Sequence, residues 1–489
     1  MALPLDRQYE HLLRRAGFGA RSDELDTYRR LSIQGAVDLL TNYEDVPDDV
    51  DDKIGQAGYV QMTIRGAFSP VSVITDARQR WLFRMVHTNR PLQEKMTLFW
   101  HNHFATAYTK LAGQLGTAEA ARYLVAKPSE DPGGVRGQLE MLRDNALGNF
   151  RSMLVDIARD TAMLYWLDGY TNTRTRPQEN FGREIMELFT MGVGNYTEPD
   201  VYAAARVFSG WNVTRAGGAA GTAASRLVYQ YVAGQHETTE KTFSFPIYRD
   251  GNKTIPARPA ASGEQDGLDL IDALAANPET PRYLGKKLYR FFISETGNID
   301  ERWLQRISTV YFQSGYDMRA VMREVLLSGE FWDQASYYAR YSWPVEYVIR
   351  AIKDIGWRGF SLGDALTPLS NMGQNLYDPP DVAGWDQGRM WFSTGSMLAR
   401  MNFAATLAGN QRFNLASAAR SAAAVSSPEG LLTYVLEGMP RPEFDTTVRG
   451  ELLNYLRATG TWSGSVAQVQ TKLPGLVRLV ASSAEYQFV

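Results

Sequence analysis

From Ser22 to the last residues, apolar side chains recur at three- and four-residue spacing with few interruptions. That is the period of an α-helix, and it constrains the fold more than any other feature of the chain. A pattern of helical period does not suit a strand, so it calls for a mainly α, multi-helical globular unit. Start signals agree with it. Ser22 reads as an N-cap with Glu24 and Asp26 in the first turn, and Pro91 opens PLQEKMTLFWHNHF. Thr197 and Asp200 have capping-box spacing before VYAAARVFSGW. Further helical stretches are expected over 70–86, 149–167, 179–191 and 266–355.

Two places break the pattern. AGGAAGTAAS (216–225) reads as a flexible surface loop, while RLVYQYV and KTFSFPIY are rich in β-formers and predict a small hairpin near 226–248. At 489 residues the chain exceeds the size at which one core usually stops growing. The expected division is a helical core over 1–408, carrying a hairpin and loop insertion at about 213–265, and a helical appendix over 409–489 packed on it. YDPPDVAGWDQG (377–388), with two consecutive prolines and Trp385, reads as an ordered loop lining a functional cleft. One local echo joins Met322–Phe331 to Val477–Tyr486, where Arg precedes Glu by seven residues and Ser falls near the helix end. It reads as a reused helix-ending solution with an internal Arg–Glu contact.

Several function classes drop out. There is no Cys, which removes disulfides, thiol nucleophiles and cysteine-ligated metals. A net charge of −3 gives no support to nucleic-acid binding through bulk charge. No nucleotide loop, no G-x-S-x-G and no H-E-x-x-H occurs. No stretch is apolar enough to span a membrane. The N-terminus is charged from Asp6 onward without an apolar signal region, so the chain as written reads as cytoplasmic, or as exported if a signal has been removed.

Three segments carry chemistry. Trp100-His101-Asn102-His103-Phe104 places two of only five histidines in one pentapeptide. Residues two apart on a helix point about 200° from each other, so His103 faces the apolar stripe and His101 a flank with Thr97 and Glu94. Either the pair is a site, or each is a buried imidazole bonded to a carbonyl. In Asn180–Phe189, Asn180, Glu184 and Glu187 form a stripe beside Phe181, Ile185 and Leu188. Two carboxylates three apart are close enough to chelate one cation or share a proton. The alternative is a surface stripe in which Arg183 pairs with Glu187. His236, in GQHETTEK (234–241), is the third candidate.

Taken together these segments, with HLLRRAGFG (11–19), AMLYWLDGYTN (162–172), RYLGKKLYRFF (282–292), WPVEYV (343–348) and MGQNLYDPPDVAGWDQGRMWFSTGSMLARMNFA (372–404), resemble the bacterial family called domain of unknown function 1800. The most specific block is ENFGREIMELFTMGVGNYTEPDVYAAARVFSGW (179–211). Departures are the 216–225 insertion and the long 244–265 loop. The resemblance implies a mostly helical, often exported protein, often encoded beside a sulfatase- or phosphatase-like partner. Its recurrent polar positions match His11, His101, His103, Asn180, Glu184, Glu187, His236, Asp381 and Trp385.

Three functions compete. The first is a metal-dependent, hydrolase-like enzyme with Glu184, Glu187 and His101 as catalytic groups. A divalent ion (Zn, Mn or Fe) would be held by His101, His103, Glu184, Glu187 and His236, and would activate a water. Trp100, Asn180, Arg183, Trp211, Asp381 and Trp385 would bind substrate. The second is a metal-free glycan-acting enzyme using Glu184, with Trp100, Trp211 and Trp385 stacking sugars. Against it, two carboxylates on one helix do not flank a bond. The third is a non-catalytic scaffold for an exported partner. The metal reading requires His101 or His103, Glu184 and His236 to converge on one polar pocket. It also requires a cation for Glu184, either an ion or Arg183, since an unpaired buried carboxylate costs several kcal/mol.

Overall fold

The structure, a computed structural model, describes residues 4–356, 359–410, 415–458 and 460–489. Helix makes up 58% of it, and the strands among the described residues form two small two-stranded sheets, so the fold is mainly α. The elements that frame the site are α1 (Leu5–Arg15), α2 (Ile74–His87), α3 (Pro91–His103), α4 (Asn180–Glu187) and α5 (Glu198–Val207). After the strands come α6 (Glu264–Ala276), α7 (Glu279–Phe292), α8 (Pro344–Ile355), α9 (Gly363–Asn371), α10 (Thr394–Gly409) and α11 (Val466–Ser482).

The start signals act through hydrogen bonds. Pro91 occupies the first turn of α3, where its missing N–H is not needed. Asp200 reaches back to the Thr197 N–H at 2.7 Å and closes the box that opens α5. Near Ser22 the cap sits one residue earlier than its spacing suggests: Glu24 accepts from the Arg21 N–H, and Ser22 is already helical. The 149–167 stretch is two helices, because Asp160 leaves the helical conformation and accepts from the Met163 N–H to start the second. The echo holds in its caps. Ser328 and Ser483 each donate to the carbonyl three residues back, at 2.8 Å, and each accept from the amide three residues on, at 3.3 Å. The expected internal Arg–Glu contact is absent from the first copy, where Arg323 pairs with Asp38 and Glu330 with Arg306.

The β-rich window pairs differently from the expectation. β1 (Trp211–Ala216) and β2 (Arg226–Tyr231) form one antiparallel hairpin, in register from Trp211 opposite Tyr231 to Ala216 opposite Arg226. AGGAAGTAAS is the turn of this hairpin rather than a detached loop. KTF pairs further along, β3 (Lys241–Thr242) against β4 (Thr254–Ile255).

One apolar cluster runs from Leu12 on α1 through Trp100 and Phe291 to Val480 and Tyr486. The C-terminal segment is stitched to it by Tyr347 on α8, whose hydroxyl lies 3.1 Å from Arg400 O on α10 and 3.2 Å from Ala481 O on α11. No helix among the described residues is long and apolar enough to cross a membrane.

Candidate functional site

Helix α3 is buried on every side from Leu92 to His103, so His101, Asn102 and His103 each face a different part of the protein. Steps of about 100° turn three successive side chains toward three neighbours. His101 Nε2 accepts the Tyr377 N–H at 3.1 Å. Asn102 Oδ1 accepts the Trp385 N–H at 2.6 Å, and its Nδ2 donates to Trp385 O at 3.4 Å. His103 Nε2 donates to Phe189 O at 3.0 Å, which leaves Nδ1 as the acceptor for Lys287 Nζ, also at 3.0 Å. The first two contacts hold the ends of the 377–388 loop. They explain its order, and they hold Tyr377 in the left-handed region at φ 66°. Gly384 completes the seat: its φ is +86°, and a Cβ there would lie 2.4 Å from Asn102 Oδ1.

The histidines therefore serve as hydrogen-bond struts, and burial keeps them neutral. His101 is pushed down to about 3, and His103 falls well below its ordinary value through burial and the charge of Lys287. His11 is likewise spent on Phe331 O and Arg14. His236 lies in the wall of the insertion, with its ring nitrogens 2.8 Å from Ser209 O and 3.2 Å from Asp266 Oδ2. It shares no hydrogen-bond partner with His101 or His103. Among the described residues no group of three or more His, Asp or Glu side chains is placed to hold a metal ion.

Helix α4 is fixed against α5 by Gly182, where a Cβ would lie 2.9 Å from Ala204 Cβ. Phe181, Ile185 and Met186 are buried beneath it, leaving Glu184 and Glu187 half-exposed along one edge. The expected Arg183–Glu187 pair does not form. Arg183 binds Glu198 through two bonds at 2.7 and 2.9 Å, because Glu198 at the start of α5 offers both oxygens to its planar fork. Glu187 instead accepts from the Tyr196 hydroxyl. Among the described residues Glu184 has no cationic partner within ion-pair distance, Arg183 pairing with Glu179 and Glu198. Burial, reinforced by the charge of Glu187 and opposed by Arg183, pushes its carboxyl up to about 7. Burial beside a second carboxylate favours its protonated form.

Sequence reasoning missed what lies beside it. Tyr283 on α7 feels the charges of Glu187 and Glu184, and burial holds its phenol up at about 12. Lys287, one turn on, stands 5.2 Å from the centre of the Tyr283 ring, and burial brings its amine down to about 7. Glu184, Glu187, Tyr283, Lys287 and His103 are thus titratable groups near one another at the α3–α4–α7 junction. A signal did exist: Lys287 falls on the apolar stripe of α7, three residues after Leu284 and four before Phe291.

The remaining candidates lie elsewhere. Trp100 is buried with its Nε1 donating to Ala146 O, Trp211 is buried between Phe208 and Tyr229, and Trp385 packs beside His101. None leaves a ring face free for a sugar. Asn180 donates to Asp168, and Asp381 is exposed with its Oδ1 taken by the Ala383 N–H. A family model described as "Protein of unknown function (DUF1800)" matches residues 11–488. Neither the curated proteins nor the solved structures gave a match.

Proposed function

The chain belongs to the DUF1800 family, and from that premise we propose that it is a hydrolase-like enzyme working by general acid–base catalysis at Glu184. The observation that supports this most is the state of Glu184: a half-exposed carboxyl without a cation, holding its proton up to about pH 7. An acid is most effective when its pKa lies near the working pH. Glu184 is the proton donor to a leaving group. Glu187, anchored by Tyr196, raises the affinity of Glu184 for that proton. Lys287, brought down to about 7, is a neutral or singly protonated amine at the same pH. It is held in place by His103 and lies ready to take or give up a proton. Perturbed groups of both signs in one place are the usual mark of a catalytic site rather than of a surface.

The metal-assisted version of this reading draws on the same two carboxylates. It needs His103 to give up Lys287 and turn Nδ1 toward an ion, since its other nitrogen is committed to a carbonyl. The test is a panel of chromogenic phosphate, sulfate, carboxylate and glycosyl esters, assayed with the full chain and with Glu184→Gln. Activity lost in Glu184→Gln with unchanged circular dichroism, and unaffected by chelator, supports the acid–base reading. Activity that survives Glu184→Gln ends it. Activity abolished by chelator and restored by Zn, Mn or Fe transfers the function to the metal version.

A further inference from the structure

A second site stands apart from these residues, where the start of α2 meets the end of α9. A cavity of about 260 Å³ is lined there by Thr75 and Arg78 of α2, by Thr367 and Ser370 of α9, and by the Gln374–Leu376 segment. Among the described residues no acidic side chain lines it. Arg78 uses its Nε on Leu376 O at 2.9 Å, and its two terminal nitrogens make no hydrogen bond or ion pair with the described residues. Asp378, whose charge reaches Arg78, is tied to the Thr109 amide and hydroxyl instead. Gln374 is fully buried. Its Oε1 accepts the Val345 N–H at the start of α8, which fixes the orientation of the amide, and its Nε2 is left without an acceptor. A buried donor without a partner costs about 1–3 kcal/mol. It lines the same cavity as Arg78, whose terminal nitrogens are unpaired among the described residues.

We propose that this cavity binds the oxyanion head of a small polar molecule, with the terminal nitrogens of Arg78 gripping two of its oxygens and Gln374 Nε2 donating to it. A planar guanidinium matches a phosphate, sulfate or carboxylate through parallel hydrogen bonds. The threonine and serine hydroxyls on the rim supply further donors, and the volume leaves room for a few atoms beyond the head. Arg78 also holds Leu376 O, next to the Tyr377 that His101 grips, so a bound ligand braces the entry to the 377–388 loop.

Isothermal titration calorimetry of the full chain at low ionic strength with inorganic phosphate, sulfate and acetate tests this. Saturable one-to-one binding of at least one of them is expected, weakened at least tenfold in Arg78→Gln and in Gln374→Glu, which keeps the acceptor for Val345 but loses the donor. Preference for phosphate and sulfate identifies a tetrahedral head, and preference for acetate a carboxylate. Should the variants fail to fold, protection of Arg78 in the wild-type chain from phenylglyoxal by the bound anion, read by mass spectrometry, gives the same answer. Absence of saturable binding by all three anions, unchanged affinity in the folded variants, or no protection of Arg78 overturns the proposal.

Discussion

Replacing Asn102 by alanine isolates the contribution of α3 to the 377–388 loop. The wild-type amide makes a 2.6 Å bond from the Trp385 N–H and a 3.4 Å bond to Trp385 O, and both residues are buried. Alanine removes both bonds and leaves the Trp385 N–H without its acceptor. Removing one partner of a buried hydrogen bond strands the other, which costs about 1–3 kcal/mol, and that is the expected loss. The 3.4 Å bond adds little, being long for an N–H···O contact. Urea unfolding followed by circular dichroism measures the global loss, and amide exchange across 377–388 reads the local one. Exchange there is expected to quicken well beyond that of α3 itself, since the loop loses its anchor while the helix keeps its packing. A loss below about 1 kcal/mol with unchanged exchange in 377–388 would refute the reasoning and show that the prolines and Trp385 packing hold the loop unaided.

Gly384→Ala attacks the same seat from the other side. The left-handed backbone costs a residue with a Cβ about 1–2 kcal/mol, and the contact with Asn102 adds to it, so the melting temperature falls and the loop exchanges faster; an unchanged melting temperature rejects this. Glu184→Gln removes a carboxyl whose folded value, about 7, lies above its ordinary 4.5. The unfolded chain releases that proton first, so the wild type loses stability as pH rises from 4.5 to 7. The variant is expected to match wild type near pH 4 and to melt higher near pH 8; equal offsets at the two pH values contradict it. Lys287→Met acts in the opposite window. The wild-type amine is brought down to about 7 from 10.5, so its burial penalty is complete below 7 and fades as pH rises to 10.5. The melting difference of variant over wild type should therefore shrink between pH 7 and 10, and a difference that widens disproves the assignment.

Helix boundaries were legible in the sequence because their causes are local. Pro91 at a first turn and Thr197 with Asp200 in a box act within four residues, and the structure uses them as read. Side-chain pairing was not legible, because helical spacing says which residues share a face and not which faces meet. Arg183 passed over Glu187, four residues away, for Glu198, fifteen residues on, because α5 folds back beside α4. The rarity of histidine drew attention to His101, His103 and His236. Their partners, Tyr377, Phe189 with Lys287, and Ser209 with Asp266, depend on tertiary neighbours that no spacing reveals. The apolar flanks of Glu184 are visible in the sequence, whereas the upward push on its carboxyl comes from burial beside Glu187, which only the packed structure shows.

The reach of α3 also sets a timetable for biosynthesis. His101 and Asn102 find their partners 276 and 283 residues downstream, and Lys95 on the same helix pairs with Glu346. At a synthesis rate of about 5–20 residues per second, roughly 15–60 s pass between the appearance of Asn102 and of Trp385. Throughout that interval the face of α3 that takes Tyr377, Trp385 and Glu346 lacks its partners, although Trp100 and His103 can already meet Ala146 and Phe189. The nascent chain must keep α3 covered by provisional contacts or by a chaperone, and truncations that stop short of residue 385 should collect as insoluble or chaperone-bound material even though they contain Glu184, Tyr283 and Lys287.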